Sequence, residues 1–471
     1  MQTVSLNNWL SCKDINIPEL YLVGGTVRDL LLDCSPRDID LVCRDAKVFA
    51  QNLAQCRKAA FVPMEKKPDE PCYRVVDRED SENYLDIAEM RGDTIYEDLS
   101  RRDFTINAIA IGVKDGSSAG VVIDPLNGAA DIERKIIRLA GDESILSDPL
   151  RILRAVRLSA GLDFAIEEQT LKEMGSRAAM LKDVAAERVT AELRRILETP
   201  RSARYFRQMD DLGILEVIFP EIHMMKVCTQ NGFHHTDVWE HSLLTMEHTE
   251  HIINNLSDYF GEWSARTADY LKGNSRLSLL KLSALFHDAG KPATKNVNSD
   301  TGRTTFYSHA EEGAKLMGLI SERLKMSKRD RDFMVLLTEE HLQVFNLASE
   351  DVKADIRTKW FRKTGDDAIA VFILGMADTM SSLGPNSSAS IRESHIKWSQ
   401  QTVREYFEKT KMEIESPDFV SGKDLIALGM MPGPDMGRIL GEIRNAQDAG
   451  KIRGREEALE LAGKLAARRR K

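Results

Sequence analysis

Two aspartates separated by one residue are the first feature of this sequence that could do chemistry. Asp38 and Asp40 stand in the run Asp38-Ile39-Asp40-Leu41-Val42, whose apolar residues predict a β-strand. Because side chains alternate along a strand, both carboxylates would lie on one face, within reach of a shared cation. Hard divalent cations take such oxygen ligands together with substrate phosphates. An isolated Asp-x-Asp is more often a solvent-facing strand edge, so this interpretation needs support from the neighbouring residues.

That support comes from a glycine pair upstream. Gly24 and Gly25 follow the strand-like run Tyr21-Leu22-Val23 and precede a helix predicted to begin near Val27. Glycine lets the backbone approach a ligand closely, and a helix N-terminus presents unpaired N–H groups to phosphate. A phosphate turn followed by paired carboxylates is the minimum equipment for nucleotidyl transfer by two metal ions. Asp86, at the same alternation in a later strand, is either a third carboxylate of that site or a satisfied structural aspartate.

An arginine-rich segment follows at Arg101-Arg102-Asp103-Phe104-Thr105-Ile106-Asn107. Its arginines could pair with phosphate, and Asp103 and Asn107 could bond a ribose hydroxyl. The alternative is a capped helix or strand start with solvated arginines.

A second basic segment opens with Asp148-Pro149-Leu150. Asp148 suits the N-cap of a helix and Pro149 its first position. Arg151, Arg154 and Arg157 then recur every three residues among Leu, Ile, Val and Ala, which favours an anionic ligand lying along the helix.

A histidine-rich block from about Asp237 to Asp378 indicates a second site. His287 and Asp288 are adjacent at the end of an apolar helix, where they could chelate one metal ion. Imidazole and carboxylate together suit Mn²⁺, Fe, Ni²⁺ or Co²⁺ better than Ca²⁺. The other candidate ligands are His241, His309, His341 and Asp378, whereas His223, His248, His251 and His395 are interpreted as ordinary core or surface histidines.

The elements that must position these residues predict an α+β fold. Residues 20 to about 125 mix short β-rich runs with helical stretches, and from about Ser144 the pattern is helical almost throughout. The run from Ser381 to Ser388 is the clearest linker. We therefore predict a small α/β head with a mixed sheet, followed by a mostly helical neck, body and tail. The predicted domains are 1–140 for the head, 141–220 for the neck, 221–380 for the histidine-rich body and 391–471 for the tail.

Composition excludes several classes of protein. The chain has 471 residues, of which 42% are hydrophobic and 30% charged, so it is not a disordered chain. No apolar run approaches the roughly 20 residues of a membrane span, and the start lacks the order of a signal peptide, so a cytoplasmic location is expected. Six cysteines without a Cys-x-x-Cys pair fit a reducing compartment. The net charge of −9 taken alone counts against nucleic acid, but RNA binding depends on local rather than summed charge.

The motifs of the first 200 residues resemble those of class II nucleotidyltransferases, which comprise the tRNA CCA-adding enzymes and related bacterial poly(A) polymerases. The resemblance rests on GG-T-VRD-LLL, DID, RRDFTINA, DPLRILRAVRL and AAERVTAELRRIL, in that order. It implies that Asp38 and Asp40 hold catalytic Mg²⁺ and that the substrates are ATP, CTP and a tRNA 3′ end. The resemblance also implies contacts to the triphosphate by Gly24, Gly25 and Arg28, and to the incoming nucleotide by Arg102, Asp103 and Asn107.

The family's template motif, Glu-Asp-x-x-Arg, reads Ser147-Asp148-Pro149-Leu150-Arg151 here, with Ser in place of the leading Glu. An aspartate accepts from an exocyclic amino group while an arginine donates to the neighbouring ring acceptor, so the pair can accept C and A and reject U and G. Arg154 and Arg157 would line the approach to phosphate or RNA.

A second departure is the short segment between the Asp86 strand and Arg101, where complete CCA-adding members usually carry a longer loop. In the family a short segment goes with enzymes that complete only part of the CCA triplet. Addition of C, of A or of all three nucleotides therefore stays open.

The six candidate ligands of the body resemble the HD phosphohydrolase superfamily in order and local context. The resemblance implies a metal-dependent phosphatase or cyclic phosphodiesterase with a transition-metal, Mn²⁺ or Mg²⁺ ion, although some members keep the fold without the activity. The segment from Val420 to Gly429 resembles the C-terminal part of HD-bearing tRNA nucleotidyltransferases.

The leading hypothesis is a template-independent RNA nucleotidyltransferase that adds C, A or both to tRNA 3′ ends. A poly(A) polymerase is the alternative within the class. Outside it stand an HD phosphohydrolase with a regulatory head and a non-catalytic RNA-binding module, the latter disfavoured because a pure binder gains nothing from carboxylates aimed at phosphate.

Overall fold

Short apolar runs between Tyr21 and Ile123 build one seven-stranded sheet.

The computed structural model describes residues 5–11, 15–36, 38–64, 71–114, 120–349, 351–352, 354–448 and 450–468. These fall into two units, residues 1–196 with 209–218, and residues 197–208 with 219–471. The finer division into four domains stays a prediction.

The sheet of the first unit has seven strands in the order β3-β4-β5-β2-β1-β6-β7. Strands β2 and β5 pair in parallel and the other neighbours are antiparallel, which confirms the predicted mixed sheet. The strands are β1 Tyr21–Val23, β2 Ile39–Cys43, β3 Ala60–Met64, β4 Cys72–Val76, β5 Tyr84–Glu89, β6 Ala110–Gly112 and β7 Val122–Ile123.

Short helices surround this sheet and continue into the predicted neck. Met90, Ile95 and Leu99 pack against Val23 and Val42 of the central strands, so the segment after β5 belongs to the sheet's core. A short parallel ladder, β8 Ile136–Ile137 with β9 Ala165–Ile166, lies further along the chain. The helices are α1 Asn7–Leu10, α2 Gly25–Leu31, α3 Ala46–Arg57, α4 Ile95–Ser100, α5 Gly128–Glu133, α6 Ser144–Ser147, α7 Arg151–Leu162, α8 Glu168–Ser176 and α9 Ala186–Leu197, with 3₁₀ turns at Thr105–Asn107 and Ala178–Asp183.

Asp148 has the hydrogen bonds of the predicted N-cap, although the regular α-helix begins later. Asp148 is extended, and its Oδ1 accepts a hydrogen bond from the Leu150 N–H at 3.3 Å. Its carbonyl accepts from the Arg151 N–H at 3.0 Å, which closes a first turn through Pro149 and Leu150. The regular helix α7 then begins at Arg151.

The second unit is almost entirely helical around one apolar helix, α22, whose sequence Ala-Ile-Ala-Val-Phe-Ile-Leu-Gly-Met is buried throughout. Helix α13 packs along α22 and α16, and α18 packs on α19. Helix α10 Ser202–Asp211 begins in this unit and ends in the first, and α11 Ile214–Ile218 belongs to the first unit. The further elements of the second unit up to the predicted linker are α12 Ile222–Lys226, α13 Val238–Asn254, α14 Leu256–Phe260, α15 Ser264–Lys272, α16 Arg276–Phe286, α17 Lys291–Thr294, β10 Asn296–Val297, β11 Thr304–Thr305, α18 His309–Arg323, α19 Lys328–Glu340, α20 Gln343–Leu347, α21 Ala354–Thr364 and α22 Ala368–Ser381, with 3₁₀ turns at Gly261–Trp263, Gly273–Ser275 and Gly365–Asp367.

The predicted linker separates α22 from the last helices. Ser388 caps α23 by accepting from the Ile391 N–H, and Ser421 with Asp424 forms a capping box at α25. The helices after the linker are α23 Ala389–Glu405, α24 Lys411–Glu415, α25 Gly422–Ala427, α26 Pro434–Asp448 and α27 Arg455–Arg468, with a π-helical turn at Tyr406–Thr410. A separate apolar cluster that includes Leu425, Ile439 and Ala458 holds the last three of them together.

The described helices include none long and apolar enough to cross a membrane.

Candidate functional sites

The first candidate site lies where β2 begins. The parallel register places Asp40 beside Asp86 of β5, and Asp38 directly precedes β2. Thr26 ties this strand end to α2, because its hydroxyl donates to the Asp38 carbonyl at 3.0 Å and accepts from the Asp40 N–H at 2.8 Å. Burial raises the pKa of Asp40 to about 6, and the charge of Asp86 adds to the effect. A carboxylate held partly desolvated beside another favours a bound cation, and an all-oxygen set fits Mg²⁺.

Gly24 allows α2 to begin close to these carboxylates. Its φ of +66° lies in the left-handed region that favours glycine. A Cβ at this position would stand 3.3 Å from Nη1 of Arg102 and 3.5 Å from Oδ2 of Asp40. The glycine pair, the carboxylates and Arg102 are thus brought together, as the predicted phosphate turn requires.

The predicted ribose-binding residues form one connected chain. Nη1 of Arg28 donates to Oδ1 of Asn107 at 3.0 Å, and the Asn107 amide donates to Oδ1 of Asp103 at 3.1 Å. Arg154 reaches the other oxygen of Asp103 at 2.6 Å. Burial opposes ionisation of Asp103, but Arg154, the Asn107 amide and Arg151 together outweigh it and hold the pKa of this carboxyl below its usual range.

Arg102 is held by a residue that sequence reasoning missed. The buried Asp98 of α4 accepts from Nε of Arg102 at 2.9 Å and from the Arg91 N–H at 3.0 Å. Arg102 and Arg151 line the same cavity, about 540 Å³ in volume, beside Ser147 and the segment after β5. The short α4 thus fixes one wall of a space that a nucleotide could occupy.

The residues predicted to read the base also have protein partners. Arg151 donates to the carbonyls of Arg102 and Ser144, each at 3.2 Å, and to the Arg101 carbonyl at 3.1 Å. Oδ2 of Asp148 accepts from Nη2 of Arg188 of α9 at 2.8 Å. The side chain of Arg151 is therefore fixed by backbone carbonyls, and that of Asp148 by an arginine of α9.

Arg157 lies apart from this cavity. Its Nε donates to Oε2 of Glu192 of α9 at 2.6 Å, which links α7 to α9. The side chain is 23% exposed, so its position favours a role in joining the two helices.

The second candidate site gathers the six predicted ligands at helix ends. His287 and Asp288 follow α16, His341 follows α19, and His309 opens α18. His241 of α13 lies with its Nε2 3.0 Å from Oδ1 of Asp378. All six are buried, and they are His241, His287, Asp288, His309, His341 and Asp378.

Asp288 stands between two pairs of histidines. Its Oδ2 lies 3.5 Å from Nε2 of His241 and 3.3 Å from Nε2 of His287. Its Oδ1 lies 3.2 Å from Nε2 of His309 and 3.7 Å from Nε2 of His341. Two groups of three ligand atoms, each compact enough for a metal ion, therefore share this one carboxylate.

The ring orientations fit metal binding. Nδ1 of His287, His309 and His341 bonds the carbonyl three residues earlier, at 2.8, 2.7 and 2.7 Å respectively. This bond fixes the tautomer and leaves Nε2 as the ligand atom. Within the described part of the chain these three Nε2 atoms are buried and make no hydrogen bond. Burial, with help from His287, lowers the pKa of His341 to about 3, so that ring is neutral and able to coordinate.

Lys291 belongs to this centre, although sequence reasoning passed over it. Its ammonium lies 2.5 Å from Oδ2 of Asp288 and 2.7 Å from Oε1 of Gln230. Burial opposes ionisation of Asp288, but Lys291 and His287 together hold the pKa of this carboxyl well below its usual range. A lysine three residues after the aspartate was the available signal.

A cavity of about 1410 Å³ opens on the centre. His395, interpreted from sequence as an ordinary core or surface residue, lines it with its ring stacked on Phe345 at 4.3 Å and with Nδ1 2.9 Å from the Thr379 hydroxyl. Only packing of α23 against α22 brings it there, so no local signal could have identified it. Lys291, Arg303 and Arg392 supply positive charge to the same cavity.

With both sites described, comparison with known proteins defines the class. The sequence matches the poly A polymerase head domain family over residues 20–138, the family described as the probable RNA and SrmB-binding site of polymerase A over 163–225, and the HD domain family over 238–381. The chain thus combines a polymerase head, an RNA-binding region and an HD domain.

Relatives along the whole chain define the family. The A-adding tRNA nucleotidyltransferase of Deinococcus radiodurans is 31% identical over 447 residues, covering 94% of each chain. The CC-adding tRNA nucleotidyltransferase of Thermus thermophilus is 29% identical and covers 93% of this chain and 92% of its own. The structure of the Thermotoga maritima CCA-adding enzyme complexed with tRNA shares the fold, with a TM-score of 0.60 at 22% identity, covering 99% of this chain and all of that one. The chain belongs to the tRNA nucleotidyltransferase family.

Replacing Gly24 by Ala tests the close approach at the first site. The variant is strained by its positive φ, at a cost of about 1 kcal/mol or more, and its Cβ presses on Nη1 of Arg102 at 3.3 Å. We expect nucleotidyl transfer to fall at least tenfold, with a small loss of thermal stability. Gly161→Ala, where a Cβ meets nothing within 4 Å, is the matched control. Wild-type transfer by Gly24→Ala would contradict the role given to this turn.

Proposed function

We propose that this protein is a template-independent nucleotidyltransferase that adds C, A or both to the 3′ ends of tRNA. The observation that carries the proposal is the convergence of Gly24, Asp40 and Arg102 in a chain that aligns throughout with tRNA nucleotidyltransferases. A cytoplasmic location is proposed with it, from the composition of the chain.

In this proposal Asp38 and Asp40 hold the divalent cations of the head. When bound, Mg²⁺ favours deprotonation of the attacking hydroxyl and offsets charge on the α-phosphate. The backbone at Gly24 and Gly25 approaches the triphosphate, and Arg102, held by Asp98, pairs with its charge.

Asp148 and Arg151 select the base, and Arg151 lines the cavity beside Ser147. The carboxylate accepts from the amino group that C and A share, and the guanidinium donates to the adjacent ring nitrogen. Support comes from their fixed positions, since Arg188 holds Asp148 and backbone carbonyls hold Arg151. Arg28, Asn107 and Asp103 form the polar chain that would meet the ribose and phosphates.

A nucleotide-addition assay tests the reaction. Purified protein is given tRNAs that end before CCA, after C and after CC, each with one labelled nucleoside triphosphate. We expect one to three residues to be added from CTP or ATP and no addition from UTP or GTP. The tRNA species extended then separates CC, A and CCA addition, while a long ladder from ATP alone would instead indicate a poly(A) polymerase.

Loss of Asp38 tests the assignment of the head. Asp38→Ala removes one of two carboxylates for the cation, and we expect incorporation to fall by about a hundred- to a thousandfold, the range that one electrostatic group supplies. Glu79→Ala, an exposed carboxylate elsewhere in the head, should leave the rate unchanged. Full incorporation by Asp38→Ala would overturn the two-metal assignment.

We further propose that the second unit is a metal-dependent phosphohydrolase. The specific observation is that buried ligand atoms of four histidines and two aspartates face one another beneath a basic cavity. Neutral imidazoles with carboxylates suit Mn²⁺, Ni²⁺ or a similar ion. Lys291, Arg303 and Arg392 would attract a phosphate ester.

His287→Ala tests this second activity. We expect phosphate-ester cleavage of a 2′,3′-cyclic nucleotide with Mn²⁺ or Ni²⁺ to disappear and bound metal to fall, while nucleotide addition remains, because the two sites use different residues. His251→Ala, an exposed histidine of α13, is the control and should behave as wild type. Persistent cleavage in His287→Ala would place the hydrolytic site elsewhere.

A further inference from the structure

Arg74 donates hydrogen bonds to both carboxylate oxygens of Asp86, the third candidate aspartate of the head. Arg74 of β4 lies directly across from Asp86 of β5 in the antiparallel register. Its Nε donates to Oδ1 and its Nη2 to Oδ2, both at 2.7 Å. Such a bidentate salt bridge fixes the geometry of both side chains as well as pairing their charges, and lysine cannot form it.

The same guanidinium is connected to the other side of the site. It lies over the ring of Tyr84, with its central carbon 3.8 Å from the ring centre. The Tyr84 hydroxyl donates to Oδ1 of Asp38. Arg74 thus contacts Asp86 directly and supports the tyrosine that orients Asp38.

Charge explains why such an arginine is needed. Asp40 has Asp86 as its register neighbour and Asp38 two residues before it, so three carboxylates crowd one strand end. Like charges this close repel, and each further unpaired carboxylate also competes for a cation. Because Arg74 pairs with Asp86, two carboxylates, Asp38 and Asp40, are left to bind a cation.

We propose that Arg74 is a positioning residue of the transfer site that keeps Asp86 out of cation binding and so limits the ligands to Asp38 and Asp40. The proposal rests on the proposed function of the head and decides between the two interpretations of Asp86: it anchors Arg74 and is not a metal ligand.

The test compares Arg74→Met, Asp86→Asn and the double variant. Freed Asp86 should draw the cation out of place, so Arg74→Met should lose about 10- to 100-fold in kcat, a loss of the size seen when groups around a metal site are disturbed, with KM for the nucleotide little changed. Asp86→Asn alone should stay within about threefold of wild type. The double variant should recover most of the loss, since the competing carboxylate is then gone.

A second readout does not depend on activity. Mn²⁺ binding is titrated by electron paramagnetic resonance in an Asp288→Asn background, which removes the shared ligand of the second site. Arg74→Met should bind Mn²⁺ several-fold more tightly, and Asp86→Asn and the double variant should match the parent. Thermal unfolding checks that each variant folds, Arg74→Lys gives a milder intermediate case, and Arg78→Met, an exposed arginine after the same strand, is the matched control.

Two results would overturn the proposal. If Asp86→Asn weakens Mn²⁺ binding about tenfold or abolishes transfer as Asp38→Ala does, Asp86 is itself a ligand. If the double variant is no better than Arg74→Met, or Arg74→Met leaves Mn²⁺ affinity unchanged, Arg74 does not shield Asp86. Because the titration needs no transfer reaction, it remains decisive even if the proposed function of the head fails.

Discussion

Repulsion between carboxylates held side by side is the constraint on which the first unit depends. The parallel pairing of β2 with β5 places Asp40 and Asp86 next to each other, and burial of Asp40 makes the cost larger. Such an arrangement is stable only when positive groups surround it. Arg74 meets this need on one side and Arg102 on the other, so the strand register, the arginines and the expected cation are parts of one charge balance.

The second unit depends on a different constraint, the orientation of imidazole ligands around a shared carboxylate. Imidazoles at the ends of α16 and α19 use the carbonyl three residues back to fix one ring nitrogen, which leaves the other free of protein hydrogen bonds. Close backbone packing supports this placement: a Cβ on Gly290 would lie 2.1 Å from the His309 carbonyl oxygen. The glycine after His-Asp thus lets α17 approach α18, and that approach brings His309 to Asp288.

Sequence reasoning found the groups whose chemistry is local and missed those that depend on pairing across the fold. Asp38 and Asp40 share one short run, His287 and Asp288 are adjacent, and the linker after α22 is marked by small polar residues, so each could be predicted. Arg74 could not, because only the register of β4 with β5 places it on Asp86. The Asp148-Pro149 pair also marks a helix start locally, but a first turn at Pro149 delays the regular helix to Arg151, an effect that residue preferences do not capture.

The arginines predicted to contact the nucleotide or the RNA show how an acidic chain can bind an anion. Arg28, Arg102 and Arg154 each pair with an aspartate of the head, namely Asp29, Asp98 and Asp103. An anionic substrate therefore meets guanidinium groups that are already oriented and partly neutralised, rather than a strongly positive surface. Selectivity then comes from the geometry of these pairs, while a bound divalent cation would supply most of the local positive charge that phosphate needs. An overall charge of −9 is compatible with a tRNA substrate on this account, because the carboxylates that make the chain acidic include those that hold the predicted phosphate-binding arginines in place.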